Sequence, residues 1–563
     1  MPTRAVDYLV QAVAALDVHH VFGVDGANIE DLYDAVFDTD CDVTGVVAKH
    51  EFSAATMADG YARSTAGLGV VVATSGGGSM NLVAGLAESF ASRVPVLALV
   101  GQAPTVLEGK GAFQDTSGLA GTFDAARLYE PISYYCARVN SAAELPAHLA
   151  RAVLATRRGG PAVLLLPKDV QQADMGEIEP FRVPATAGTA DAAGADPVRA
   201  ALWTARSTGK VVIIAGDQVA RDDARAGLQR LATALEASVG VAPDAKDVYD
   251  HDLPGFCGVA GSMGHAELVD AVRGAALCVL VGTRLPVTAR TGLDEALAHV
   301  PVVSVGSEEP YLPALHFTST DLATTLAVLA APEEGPADVG TDGEPPRRTK
   351  QLTPLSVPET EGPGLRYRDI VETLNGAIEP GTDVFADAGN TGAAVVHHLR
   401  LPRDGRFVVA LGMGGMGYAF GAGIGSAFAR RELPGGGERR TFVVAGDGAF
   451  FMHGMEIHTA IEYALPITFV VCNNNAHAMC ITREQLYYGD RYSFNRFQPT
   501  DIGAGVAAMF PELPAYSPRS IEELADALRL CLDNSGPSFV CIDCDPDEIP
   551  PFVPFLSVPR RHP

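Results

Sequence analysis

The residues best placed to do chemistry are an acid and an amide, each just past the end of an apolar run. Residues 441–445 (TFVVA) lead into Gly446-Asp447-Gly448, and residues 467–472 (ITFVVC) lead into Asn473-Asn474-Asn475. Asp447 offers an anionic oxygen and Asn474 a neutral carbonyl oxygen. Few protein ligands, with phosphate oxygens completing the shell, is the usual arrangement for Mg²⁺. Gly448 leaves the backbone open to a phosphate, at the start of a helix whose N–H groups favour anions. A tight turn and a polar strand end are the plainer reading of either half. Together the two halves point to a cation and a diphosphate.

Such a pair needs a rigid frame. The apolar, β-branched runs read as buried parallel strands. Residues 455–464 between them have helical spacing, so the unit is βαβ and both polar ends lie at the carboxyl edge of a sheet, where open α/β folds bind ligands. The same alternation runs through the whole chain. Strands are expected near 21–24, 43–47, 69–74, 95–101, 161–167, 210–216, 276–282, 301–306, 384–386 and 538–543, with helical patterns between them. The expected fold is three doubly wound parallel α/β domains: 1–175, 190–330 and 365–550. A Pro, Gly and acid-rich linker is expected at 331–364 and an extended tail at 551–563.

Bulk properties narrow the partners. A chain of 563 residues is too long for one core, and 47% hydrophobic residues fill several. A formal net charge of -27 argues against nucleic acid or an anionic membrane as partner. No apolar run is long enough to span a membrane. Nine cysteines, with no signal-like N-terminus, make a reducing cytoplasm the expectation. Cys541 and Cys544 form a lone CxxC that reads as ordinary strand cysteines.

Other residues stand at similar strand ends. Glu51 opens a small-residue helix after the strand ending near 47; a first-turn acid favoured by the helix dipole is its plain reading. Ser75 to Ser79 is glycine-rich and opens another helix, with Asn81 in its first turn. Gly389, Asn390 and Thr391 follow the strand at 384–386. Gly414 and Met416 lie in LGMGGMGYAF, where a methionine among glycines also suits simple packing. His477 and Met479 follow the asparagine run, and Arg483 comes a turn later.

GDG followed by NN, with intact strand and helix between, resembles the thiamine diphosphate signature. HEFSAATMADGYAR, VVVATSGGGSMN, GAFQD, PKDVQ and LGMGGMGYAF are similar to the acetohydroxyacid (acetolactate) synthase pattern. That resemblance implies thiamine diphosphate and Mg²⁺ as cofactors. The metal ligands would be Asp447, Asn474 and the carbonyl of Ala476. Glu51 would bond to N1′ of the aminopyrimidine, Gly414 would hold the 4′-amino group and Met416 would enforce the V shape, an orientation effect. Asn81, Gly389, Asn390, Thr391, Gly446, Gly448, Ala449 and Met479 would contact the cofactor. Phe113 and Gln114 would face the substrate from a partner subunit. His477 has two readings by residue type, proton transfer near the substrate and a structural histidine. The central domain carries FAD in those synthases; Gly282-Thr283-Arg284 and residues 258–264 match that site loosely, and no GxGxxG fingerprint is present. A Trp usually stands where Arg483 falls, so the acceptor side departs from the pattern.

The expected activity is that of a carboligase. It decarboxylates pyruvate or another small 2-oxo acid and transfers the acyl unit to a second carbonyl. A homodimer or homotetramer would complete the sites. A non-oxidative 2-oxo acid decarboxylase is the alternative; the histidine pair of pyruvate decarboxylases is absent after the first domain's strands, whereas His477 suits it.

Overall fold

A computed structural model describes residues 3–184, 192–331, 351–401, 404–433 and 439–558. Its three six-stranded sheets are parallel throughout, as the near-continuous apolar runs require. The first holds β1 (His20–Val24), β2 (Thr44–Val47), β3 (Gly69–Ala73), β4 (Val96–Gln102), β5 (Tyr135–Arg138) and β6 (Pro161–Pro167). The second holds β7 (Val211–Ala215), β8 (Ser238–Val241), β9 (Phe256–Val259), β10 (Leu277–Val281), β11 (Val302–Gly306) and β12 (Leu315–Thr318). The third holds β13 (Asp383–Ala386), β14 (Phe407–Val409), β15 (Thr441–Gly446), β16 (Ile467–Asn473), β17 (Ala515–Tyr516) and β18 (Ser538–Asp543).

The first and third sheets share one topology. Their orders, β2-β1-β3-β4-β6-β5 and β14-β13-β15-β16-β18-β17, are the same once each is counted from its own first strand. Each reverses beside its first strand, and ligands bind outside the carboxyl ends at such a reversal. In the third sheet the reversal lies between β13 and β15. The loop before Asn390 and the start of the Asp447–His453 helix therefore face each other there. The second sheet runs β12-β11-β10-β7-β8-β9, the order 3-2-1-4-5-6 of dinucleotide folds.

The outer domains are joined along two helices, Glu51–Thr65 and Tyr418–Glu432. Small residues let their backbones touch. A Cβ on Gly60 would collide with the Ala422 carbonyl, and one on Gly425 with that of Met57. Phe52 through Arg63 are buried without a break. Such burial of polar groups needs partners: Asp59 accepts from Arg63 Nε (2.7 Å), Ser89 Oγ (2.8 Å) and the Tyr418 hydroxyl. Where the three domains meet, Arg406 pairs with Asp217 (2.8 Å) and Asp247 (2.6 Å), and Arg63 lies 3.6 Å from Asp217. Lys246, also buried, points its ammonium at the Val395 and Val396 carbonyls, the C-terminal end of the Asn390–His398 helix.

Three expectations change in detail. The turn read at Gly446-Asp447-Gly448 is a strand end followed at once by a helix, with Gly446 extended as its N-cap; the helix expected over 455–464 runs over Ile457–Glu462. The Lys168–Gln172 helix begins within PKDVQ. The tail is not simply extended: Val553–Leu556 is a helical turn, with Pro in its first turn, where a missing N–H costs nothing, and Phe555 buried. Most of the linker, 332–350, and residues 559–563 of the tail lie outside the described residues.

Candidate functional site

The polar residues picked from the sequence fall into two groups at the carboxyl edges of the outer sheets. In the first domain Glu51 heads its helix, capped by the His50 ring, which accepts from Phe52 N (3.0 Å). Asn81 Nδ2 donates to Glu51 Oε2 (2.9 Å), fixing a carboxylate that is only half-buried. A Cβ on Gly78 would lie 3.1 Å from Glu51 Oε1, so the glycine run gives that carboxylate its room. Gln114, at φ 57, accepts from Thr74 Oγ1 (3.2 Å), and its Cβ packs over Gly76. Phe113 beside it is 75% exposed.

In the last domain Asp447 Oδ2 and Asn474 Oδ1 both accept from the Ala476 N–H, at 3.1 and 3.0 Å. Two oxygens from different loops thus converge on one point beside the Ala476 backbone. The Asn474 amide is oriented from behind, because its Nδ2 donates to the buried Tyr367 hydroxyl (2.8 Å). Burial pushes the Asp447 carboxyl up to about 6 against the pull of four backbone N–H bonds. A buried acid whose charge is this costly is suited to a cation.

Around that point the chain leaves space. A Cβ on Gly389 or Gly414 would meet no atom within 4 Å, and both glycines have positive φ (96° and 67°). Asn390 is held by its Nδ2, which donates to the Glu548 carbonyl (3.0 Å), while its buried Oδ1 has no partner. Thr391 Oγ1 faces Gly446. The Met416 methyl and the His477 ring both close on Gly448, each within 2.9 Å of where a Cβ there would stand, and His477 packs edge-on against Phe497. Ala449 lies wholly in the core, behind Gly448, and Met479 packs on the core of its domain. Glycine cradles, an unpartnered buried oxygen and converging oxygen ligands fit a diphosphate and its cation.

Among the described residues no hydrogen bond joins Glu51, Asn81 or Gln114 to Asp447, Asn474 or His477. Arg483 is exposed, with its guanidinium 5.7 Å from the Phe555 ring in the tail. Lys168 closes the 25–28 loop by donating to the Ala27 carbonyl (2.7 Å). His397 is buried between the Met263 carbonyl and the Leu355 N–H, far from any role in the site. Reading the sequence missed Tyr367, Glu88 and Asp387. Glu88 alone left a trace, as an acid on the buried face of a small-residue helix; Tyr367 sits too far along the chain from Asn474 to be linked to it.

The central sheet does not fit a dinucleotide such as FAD. Its reversal lies between β7 and β10, and Gln218 fills it. The Gln218 side chain accepts from Ser307 N (2.8 Å) and donates to the Ser319 carbonyl (2.9 Å) and Asp222 (3.0 Å). A Cβ on Gly282 would lie 3.0 Å from Gln218 Cβ, and one on Gly216 only 2.5 Å from Thr283 Cβ. Gly261 and Gly264 are likewise backed by their own chain. On the side where a Cβ would stand, Gly216, Gly261, Gly264 and Gly282 thus face their own chain and not open space.

Three family models match the chain in order. Residues 3–121 match the N-terminal thiamine pyrophosphate (diphosphate) binding domain of thiamine pyrophosphate enzymes, 198–314 their central domain and 387–542 their C-terminal thiamine pyrophosphate binding domain. The chain is 28% identical to a probable acetolactate synthase large subunit of Methanocaldococcus jannaschii, over 98% of this chain and 93% of that one. It is 26% identical to the acetolactate synthase isozyme 2 large subunit of Escherichia coli (98% and 97% covered). With the Lactococcus lactis acetolactate synthase large subunit it shares 25% identity (88% and 85%). No helix among the described residues is long and apolar enough to cross a membrane. The chain belongs to the thiamine pyrophosphate enzymes and is acetolactate synthase-like.

Proposed function

We propose that the protein decarboxylates pyruvate or another small 2-oxo acid and transfers the acyl unit to a second carbonyl, using thiamine diphosphate and Mg²⁺. The convergence of Asp447 Oδ2 and Asn474 Oδ1 beside glycines that face open space carries this reading. Asp447, Asn474 and the Ala476 carbonyl hold Mg²⁺, while Gly389, Asn390, Thr391 and Gly448 receive the diphosphate. When bound, thiamine diphosphate supplies the electron sink that lets a 2-oxo acid lose CO₂ and its acyl carbon add elsewhere. Glu51, steadied by Asn81, holds a proton at the pyrimidine ring nitrogen. Met416 and the Gly414 carbonyl set the angle between the rings, and His477 stands beside Gly448 where a proton can be passed to or from substrate. Phe113 and Gln114 cover the substrate side and help exclude water.

A second copy completes each site. The exposed apolar side chains beside both groups support this: Phe113 (75%), Met413 (62%), Phe451 (50%) and Phe494 (87%). The assembly is a homodimer or a dimer of dimers. Free thiols on all nine cysteines suit a reducing cytoplasm.

The test is incubation of the purified protein with thiamine diphosphate, Mg²⁺ and pyruvate, followed by NMR. Acetolactate or acetoin supports the carboligase. Acetaldehyde alone turns the reading to a simple decarboxylase, for which His477 is the proton donor. Bound cofactor without turnover sends the search to larger 2-oxo acids.

A further inference from the structure

The loop that carries Gly414 and Met416 is strung between two buried carboxylates from different domains. At its far end Asp387 accepts from Gly417 N and Ala419 N, both at 2.9 Å. Asp387 directly follows its own strand, β13, so that contact is local to the last domain. At the near end the acid comes from elsewhere. Glu88 lies on the Gly77–Ser92 helix of the first domain and is 2% exposed. Its Oε1 accepts from Gly412 N (3.1 Å) and Ser92 Oγ (2.7 Å), and its Oε2 from Met413 N (2.6 Å) and Gly414 N (3.1 Å).

Three successive backbone N–H groups turned to one side make a nest for an anion. Here the anion is a side chain of the protein, and charge-assisted bonds of this kind are the strong ones. With its N–H groups facing Glu88, the run 412–414 is fixed in both direction and depth. Gly414 can comply because its φ of 67° and the open space beside it cost a glycine nothing. Gly412 also complies, since a Cβ there would stand 2.7 Å from Ala91 Cβ. Ser92 supplies the remaining bond that keeps the carboxylate from turning away.

We infer that Glu88 is a positioning residue for the cofactor: by gripping residues 412–414 it sets where the Gly414 carbonyl and the Met416 side chain meet the pyrimidine ring. The inference rests on the proposed thiamine diphosphate site. A residue that only filled space would not need three converging N–H donors, and an apolar helix face would have served the packing better than an acid.

The experiment compares Glu88→Gln, which keeps the shape and one acceptor oxygen, with Glu88→Ala. Hydrogen exchange of the apo-protein is read by mass spectrometry on the peptide covering 411–417. Exchange should speed at least tenfold in Glu88→Ala and less in Glu88→Gln, with no change in peptides of the central domain. In the cofactor-loaded protein kcat should fall tenfold or more in Glu88→Ala, with partial recovery in Glu88→Gln and KM for the 2-oxo acid nearly unchanged. Unaltered exchange at 411–417 overturns the inference. Faster exchange with normal cofactor affinity and normal kcat also overturns it, because the loop's position then does not matter. Wild-type protein that binds no thiamine diphosphate overturns the functional reading and this role together, whereas normal wild-type binding with indifferent variants overturns the role alone.

Discussion

Tyr367→Phe removes one oxygen atom, and its effect should be felt at a cation that the tyrosine never touches. Asn474 Nδ2 donates to the Tyr367 hydroxyl at 2.8 Å, and both residues are buried. Without that hydroxyl the amide loses the one acceptor it has among the described residues, a desolvation loss of about 1–3 kcal/mol. It has two ways to respond. Staying in place leaves the NH₂ group unsatisfied and lowers the stability of the apo-protein by that amount. Rotating half a turn puts NH₂ against the Ala476 N–H and takes the carbonyl oxygen away from Asp447. Either way the oxygen offered to Mg²⁺ is less well held. Loss of such a supporting partner typically weakens metal binding by about 10–100-fold, or roughly 1.4–2.7 kcal/mol. Calorimetric titration of Mg²⁺ into protein saturated with thiamine diphosphate measures it directly. Urea unfolding of the apo-protein measures the stability cost beside it. An apo-protein destabilised as expected but with Mg²⁺ affinity unchanged within twofold refutes the reasoning, since Asn474 would then be either no ligand or oriented by something else.

Other perturbations follow from the same geometry. Gly425→Ala forces a methyl into the Met57 carbonyl and should destabilise by about 3 kcal/mol or more, whereas Gly505→Ala, where a Cβ meets nothing within 4 Å in the exposed part of a helix, should stabilise by about 0.5–1 kcal/mol; thermal unfolding of the two variants checks the pair. Burial pulls the Lys246 ammonium down to about 7, below its unfolded value, so the unfolded chain holds more protons between about pH 7 and 10.4 and this residue's contribution to stability rises with pH across that window, by a few kcal/mol on the order of the full shift. Urea unfolding at pH 7 and 9.5 should accordingly show wild type gaining on Lys246→Met as the pH rises; a constant gap contradicts the buried charge. The protein as purified should show no flavin absorbance near 450 nm, and added FAD should leave its unfolding temperature and turnover unchanged, because Gln218 occupies the crevice; a stoichiometric yellow cofactor would show that this side chain moves aside.

Much of the fold was legible because parallel strands buried on both faces write themselves as apolar runs. TFVVA and ITFVVC became β15 and β16 nearly residue for residue. The short strands β5, β8, β9, β12, β14 and β17 were not picked out: two to four residues carry no periodicity. Strand order was invisible too, so the identical topology of the outer sheets came only from the structure. At the site, Asp447, Asn474 and the glycines announced themselves through turn chemistry at strand ends, which is local in sequence. Glu88, Tyr367 and Gln218 act on groups far along the chain, and a single sequence holds no record of such contacts. The FAD expectation rested on a loose match at 258–264 and 282–284, and Gln218, whose side chain packs on Gly282, is likewise distant in sequence.

The contact between the Glu51–Thr65 and Tyr418–Glu432 helices also sets a timetable for synthesis. The first helix leaves the ribosome roughly 350 residues before its partner, a wait of about 20–70 s at about 5–20 residues per second. During that wait a helix whose residues from Phe52 to Arg63 are all buried in the finished protein lacks the surface that covers it, and Asp59 lacks the Tyr418 hydroxyl. The nascent first domain is therefore a half-built core, exposed for longer than most domains take to fold. Yield in a foreign host should depend on elongation rate and on chaperones that shield such faces, rather than on the stability of the completed enzyme.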